Sequence, residues 1–594
     1  MGKLYLTEKP SVAELLANTL GKAQKQQTHW TIDNGDTVTW AIGHLVSLAN
    51  PDEYDPKWRS WNLANLPVMP AKFKWRASDA NAAKRLDEIE DVIAAVKPTS
   101  IVNACDAGRE GELIFWLIWA ELKLEGKYPM ERLWLRSMTK EGIGRAMADI
   151  KPGANTRNLA VAAASRSMAD WIIGMNATRA ASKVLATGPK EIWSVGRVQT
   201  PTLALLVDRN QERADFKPQD VWGVSAVFSA DNKTFPVNAT LPTQADAERV
   251  AAACASPGKI TDVVTTEDRP PNKLFDLTTL QRFMNITAGW PAQRTLDAAQ
   301  KLYEHEKVIT YPRTDSDALP ADYEKEAQRV LDTLPAQGFG TIAALALPAD
   351  KCPHKTLVFD DKGVTDHFAI IPTGTPLSSK MSDHATLYAT IVKRFVAAFC
   401  PPEKVEVKVR TVELPSGDKL TSTQETTVDP GWKAVYGRAP GAVKGPNLPG
   451  QSGDTATPQS ATPTHSMTPP PPLHNEASLL EQMTKDKNKS LGTAATRASI
   501  IENLKFKQYI RASDGNWEPT EKGTKLVQAL RDRGMSDITN SEMTGAWEQR
   551  LRNIEAGTEK APAFNAEIKQ LTGDMVDKFK EPAQAPAAPA NSIS

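Results

Sequence analysis

The chain has 594 residues, too many for one hydrophobic core, so three to five domains are expected. Its composition, 41% hydrophobic and 24% charged, is that of an ordinary soluble protein, and no apolar run approaches the ~20 residues needed to cross a bilayer, which excludes a membrane protein. The 71 basic residues balance the 71 acidic ones, so any basic surface for nucleic acid must be local.

The segment Met1 to Glu8 has no long apolar stretch with a cleavage site, and Leu6 spoils a myristoylation reading, so export is not expected. Cys105, Cys254, Cys352 and Cys400 lie far apart with no C-x-x-C pair. They read as reduced thiols of a cytoplasmic protein.

The first ~150 residues read as an α/β unit. Lys3 to Thr7 forms a short strand, and Ser11-Val12-Ala13-Glu14 has capping-box spacing before an apolar helical run. The same grammar returns at Ser100 to Cys105, a buried-strand pattern followed by a glycine-bearing turn and the helical run Leu113 to Ile118. From Asn158 to Ala186 an Ala-, Met- and Arg-rich stretch without proline predicts one or two helices. After Pro218 the pattern turns to strands: Gly223 to Phe228 and Val405 to Val409 both alternate, with a helical insert expected between them over roughly 276–400. Nine prolines between Pro440 and Pro472, among Gly, Ser, Thr and Gln, predict a flexible loop or linker. Helical patterns resume at Ala477 and run to about Lys580, before a disordered tail.

Glu8 follows the first strand; Asp106 and Glu110 follow the strand ending at Cys105. Ligands of open α/β sheets bind outside the carboxyl ends of the strands, so these acids are candidate Mg²⁺ ligands, although a lone acid in a turn is commonly just solvated. In Thr310-Tyr311-Pro312-Arg313 the proline holds Tyr311 extended, and Arg313 can share its face, so a phenol and a guanidinium could meet one phosphate. Ser194 to Pro201 and Thr365 to Pro372, the latter with His367, mix polar side chains with a proline stop. No G-x-x-x-x-G-K-[ST] loop occurs, so ATP hydrolysis by that device is not supported.

Taken together and in chain order, these motifs resemble a type IA DNA topoisomerase of the topoisomerase III kind. Glu8-Lys9-Pro10-Ser11 resembles the family's opening motif, and Asp106 to Gly111 its Toprim acidic motif. Ser194 to Pro201 is similar to its S-x-G-R-V-Q-T-P signature, Thr310 to Asp315 to its active-site tyrosine motif, and Asp366 to Thr373 to its D-H-x-A-I-x-P element. Gly492 to Ala498 and Pro519 to Gly523 also fall where the family would place them.

The resemblance implies a multidomain fold of α/β, α and β parts, a Toprim α/β domain within a four-domain toroid. Its expected parts are a Toprim domain (1–150), a helical DNA-binding domain in two pieces (151–217 and 475–580) and a β arch in two pieces (218–275 and 401–474, including the Pro-rich loop 440–472). A domain bearing Tyr311 (276–400) is inserted in that arch, and a disordered tail (581–594) follows. The implied reaction cuts one DNA strand, keeps the 5′ phosphate on the tyrosine, passes another strand and reseals the break without ATP, relaxing negative supercoils or decatenating DNA.

Carried over by position, Tyr311 is the nucleophile, Arg313 the transition-state cation, Glu8 a general acid, Lys9 a phosphate clamp and His367 an assistant near the phosphate. Asp106, Glu110 and Glu8 are the implied Mg²⁺ ligands, and Arg166, Asp170, Ser194, Arg197, Gln199, Thr496 and Arg497 the implied DNA contacts. A cytoplasmic monomer acting on single-stranded or underwound DNA is expected, with neither membrane nor ATP as partner.

Two departures stand out. Gly108 occupies the place of a second aspartate in many relatives, which predicts weaker use of Mg²⁺ through Asp106 and Glu110. Zinc-binding cysteines near the carboxyl terminus are absent. A catalytically weakened single-strand-binding protein is the competing reading; a Toprim nuclease or primase would fit the acids but leave Tyr311, Ser194 to Pro201 and Gly492 to Ala498 unexplained.

Overall fold

The computed structural model describes residues 2–136, 140–364, 366–485 and 490–582. The first sheet has seven strands, and Leu4–Thr7 lies at its centre, parallel to Thr37–Trp40 on one side and to Ile101–Asn103 on the other. Successive side chains of a strand point to opposite faces. Accordingly Leu4, Leu6 and Ile101 pack with Leu86, Ile89 and Leu113 on one face, and Tyr5 and Val102 pack with Val12 and Leu16 on the other. Coverage of both faces explains the unbroken apolar reading of these strands.

The helix after the first strand is Pro10–Leu20, with Pro10 in its first turn and no side-chain cap bond. The expected capping box at Ser11 is therefore corrected: the chain already turns helical at Pro10, whose fixed φ suits that position and whose missing N–H would have no partner there. The helix after the second strand, Arg109–Glu121, starts just past the acidic turn. Glu8 and Asp106 thus leave the same ends of two neighbouring parallel strands.

One helix of 29 residues, Arg157–Leu185, packs against Arg109–Glu121, Glu542–Glu555 and Ala561–Lys580. Its buried face is rich in alanine, which lets the neighbouring backbones come close. Asp220–Ala230, Lys233–Leu241, Gly258–Arg269, Glu403–Glu413, Lys419–Asp429, Val443–Lys444 and Thr455–Met467 form a second sheet. Asn238 opposite Thr421 closes it on itself. The chain leaves this sheet after Arg269, builds helices from Leu277–Ala288 to Ser382–Ala398, and re-enters at Glu403.

The Pro-rich stretch 440–472, expected to be a flexible loop, instead contains the 13-residue strand Thr455–Met467, paired along its length with Asp220–Ala230. Pro463 lies opposite Val224, and Pro458 opposite Phe228 beside a bulge. The strand's ladder with Gly258–Arg269 runs only through Gly258 and Lys259, so beyond Ala456 its other edge has no ladder partner. A missing N–H directed to an open edge removes no ladder bond. Arg209 and Arg213 then hold the carbonyls of Pro472 and Pro471.

Within the region read as helical, Ile510–Ser513 and Asn516–Pro519 form a hairpin. The tail expected from 581 lies outside the described residues from 583 onward. Among the described residues no helix is long and apolar enough to cross a membrane, and all four cysteines are free and buried.

Candidate active site

Tyr311 is positioned by a pairing that joins two distant motifs. Ile309 bridges Pro372, Thr310 N–H donates to the Ile371 carbonyl at 3.0 Å, and the Thr310 hydroxyl donates to the Ala369 carbonyl at 2.9 Å. Thr314 Oγ1 donates to the His367 carbonyl at 3.1 Å. The tyrosine motif and the Asp366 to Thr373 element therefore run side by side, and the ring of His367 lies 4.3 Å from that of Tyr311. Tyr303 meets Tyr311 edge-on at 5.3 Å, and its hydroxyl is 3.1 Å from Ser11 Oγ on the first α/β helix.

Across this junction the acids come into contact with the tyrosine shell. The Lys9 ammonium is bonded to the Asp106 carboxylate, lies 3.3 Å from Glu8 Oε1, and stands 4.1 Å from the centre of the Tyr311 ring. Asp106 Oδ2 is also 3.0 Å from His367 Nε2. Glu8, Lys9, Asp106, Tyr311 and His367 are thereby gathered at one place from four separate stretches of chain. Arg313 donates to Gln300 Oε1 at 2.8 Å and, with Lys9, is one of the cations that favour the Tyr311 phenolate.

Burial and neighbouring charge split the two acids. Burial pushes the Glu8 carboxyl up to about 7, with Asp106 adding to the rise and Lys9 opposing it. Burial would raise Asp106 as well, but His367 and Lys9 outweigh it and hold its carboxyl well below the ordinary range. One acid is thus able to hold a proton near neutrality beside another that stays ionised, which suits proton donation by Glu8. Burial raises the Tyr311 phenol, against the pull of Lys9. The Lys9 ammonium stays charged, because Asp106 and Glu8 more than offset its burial.

Glu110 is held elsewhere, by His44 Nε2 at 2.7 Å and by Arg166. Burial opposes its ionisation, yet His44 and Arg166 keep its carboxyl below the usual range. The acids of the expected metal set offer hard oxygen donors, the chemistry that Mg²⁺ requires. They are nevertheless engaged by cationic side chains, and among the described residues no group of three or more His, Cys, Asp or Glu is arranged to hold a metal.

Arg132 fixes the acidic turn. Nearly inaccessible, it pairs with Glu112 and donates to the carbonyls of Asn103, Cys105, Asp106 and Leu133 at 2.7 to 3.0 Å.

A family model described as DNA topoisomerase matches residues 154–565, and one described as Toprim domain matches residues 3–135. A DNA topoisomerase 3 of Staphylococcus aureus is 34% identical over 98% of this chain and 82% of its own length; that of Bacillus licheniformis is 34% identical over 97% and 81%. The chain belongs to the type IA DNA topoisomerase family. Topoisomerase I from Thermotoga maritima shares its fold, with a TM-score of 0.70 at 21% identity over 98% of this chain and 91% of that one.

The residues expected to touch DNA fall into two sets in this topoisomerase. Arg166 and Asp170 lie on the long helix, while Ser194, buried Arg197 and Gln199 come from the segment that follows it. Arg197 grips Asp170 with two bonds, at 2.7 and 3.2 Å, and lies 3.4 Å from Glu548, which in turn pairs with Arg109. Lys507 Nζ donates to both Ser194 Oγ and Gln199 Oε1 at 2.9 Å. Thr496 and Arg497 are instead turned to architecture. Thr496 completes a capping box with Thr493, while buried Arg497 bonds Thr278 Oγ1 at 2.7 Å, the Gly492 carbonyl at 2.9 Å and Asp315 Oδ1 at 3.3 Å. Asp315 belongs to the tyrosine motif, so this pair anchors that motif to the helices.

Sequence reasoning missed His44, Tyr303 and Lys507, and named Asp366 only as part of a motif. His44 had a usable signal: Gly43-His44 follows Thr37–Trp40, a third strand parallel to the two that carry the acids.

Proposed function

We propose that the chain breaks and reseals one DNA strand through Tyr311, without ATP, and passes another strand through the break. The supporting observation is the Tyr311 ring packed against both Lys9 and His367, beside a protonatable Glu8. The phenol oxygen attacks the scissile phosphorus and gives up its proton to water as the new bond forms; the bond to the 3′ oxygen breaks, and Glu8 gives that oxygen its proton. Lys9 and Arg313 are the cations available for the charge gathering on phosphate. Resealing runs the same steps backwards. A phosphotyrosine ester replaces a phosphodiester, so the cut strand keeps the free energy needed to rejoin.

Asp106, Glu110 and Glu8 would hold Mg²⁺, whose contribution is to neutralise phosphate charge. The substrate in this reading is single-stranded or underwound DNA, bound along the Arg166 to Gln199 surface, with affinity that falls steeply with salt. The test is denaturant trapping of a covalent adduct with end-labelled single-stranded DNA. Wild type should form it and Tyr311→Phe should not; adduct from Tyr311→Phe, or none from wild type, would overturn the assignment.

A further inference from the structure

Gly108 is not dictated by its backbone. Its φ of −158° and ψ of 178° are extended values that any residue adopts. What excludes a side chain is the Asp366 carboxylate: a Cβ built at 108 would overlap both of its oxygens and its Cγ. Asp366 comes from the element that runs beside the tyrosine motif, one residue before the histidine that bonds Asp106. The charges acting on it are His367, Asp106, Arg109 and Lys9, the surroundings of the acidic turn. It also stands over the start of Arg109–Glu121, a 13-residue helix whose N-cap glycine has no side chain to offer, and a helix start favours an anion.

We infer that Asp366 supplies, from the tyrosine side of the junction, the carboxylate that position 108 lacks, so that the acid set is complete only while Tyr311 is docked. An aspartate at 108 would remain beside Asp106 when the tyrosine swings away; Asp366 leaves with it. A cation that prefers the complete set then favours the docked state by the same factor that docking favours the cation. Rejoining is thereby tied to closure. The inference rests on the strand-cleavage reading above for its purpose, but not for its test.

The test exchanges the acid between the two positions in the full-length chain, with Asp366→Asn, Asp366→Gly, Gly108→Asp and the double variant Gly108→Asp/Asp366→Gly. Mg²⁺ binding is followed by calorimetry on DNA-free protein, and the Mg²⁺ dependence of rejoining on the trapped adduct. Asp366→Asn should weaken Mg²⁺ binding roughly tenfold or more, and raise the Mg²⁺ needed for rejoining to match. Gly108→Asp alone forces two carboxyls into one space and should lower adduct yield at every Mg²⁺ concentration. The double variant should recover to within about threefold of wild type.

Mg²⁺ binding that is undetectable in wild type, or unchanged in Asp366→Asn, overturns the inference. So does a double variant no better than Gly108→Asp alone. Failure of wild type to form any adduct counts against strand cleavage and leaves the calorimetric result to decide the role of Asp366.

Discussion

Arg132 gives the sharpest quantitative expectation. It is 1% exposed, its partner Glu112 is fully buried, and four backbone carbonyls of the acidic turn and its flanking strands receive its protons. Arg132→Met keeps much of the side-chain volume while stranding the Glu112 carboxylate and taking from the Cys105 and Leu133 carbonyls their side-chain donor; the Asn103 and Asp106 carbonyls keep the N–H groups of Leu133 and Gly108. Removing one partner of a buried pair costs about 3–5 kcal/mol, and a domain of this size loses roughly 3 °C of midpoint per kcal/mol. The α/β domain should therefore melt on the order of 10 °C lower, by calorimetry or by circular dichroism. Burial tends to protonate Glu112, with Arg132 opposing. Once Arg132 is gone Glu112 will take up a proton, and the deficit should narrow at acid pH. Pairing Arg132→Met with Glu112→Leu should recover part of the loss. A single-variant shift under ~1 kcal/mol, with adduct formation intact, would refute the idea that this guanidinium holds the turn.

Other expectations follow from the same geometry. Glu8 has a raised carboxyl, so its contribution to stability is full below its ordinary value of 4.5 and fades as pH rises through about 7; strand cleavage should decline over the same upper range. Glu8→Gln should lower cleavage roughly a hundredfold or more and flatten both pH profiles, and an unchanged profile would remove Glu8 from the proton path. Arg197→Ala should lower stability by about 1.5–3 kcal/mol as well as weaken single-strand binding; a loss of binding at constant melting temperature would mean that the Asp170 and Glu548 contacts are incidental. Excising 455–467 takes out the strand between Asp220–Ala230 and Gly258–Arg269, so soluble yield should collapse. Normal yield and a normal melt would restore the expectation of a flexible loop or linker.

Much of the scaffold was legible because the signals were local. Two apolar runs ending in acidic turns read as strands of one α/β unit with their acids beyond the carboxyl ends, and the alternating runs after Pro218 anticipated strands on both sides of a helical insert. What stayed hidden depended on pairing across distance. Nothing local to Tyr311 shows that its strand lies against Ile371 and Pro372, yet that pairing brings His367 to its ring. Thr455–Met467 was misread because its side chains are mostly small, polar and exposed, and its prolines look like breakers until the open edge is seen. Ser513-Asp514-Gly515-Asn516 did carry a hairpin signal: both central residues have positive φ, 47° and 77°, as a type I′ turn requires. It was lost among the stronger helical periods on either side.

The glycine at 108 illustrates a different kind of blindness. Set against an acidic motif it reads as a missing ligand and invites the idea of a decaying enzyme. In the folded chain the space is filled by an acid from more than 250 residues away. Lys9 follows a similar logic: its ammonium balances Asp106 and Glu8 while resting against the Tyr311 ring. An arriving phosphate brings its own negative charge to that cation and competes with both carboxylates for it. The loss of Lys9 from Glu8 removes the main influence that keeps the carboxyl from rising further. Substrate binding would thus strengthen the hold of Glu8 on its proton until the 3′ oxygen departs. In the proposed strand-cleavage reading, DNA itself would set the protonation state that the cut requires.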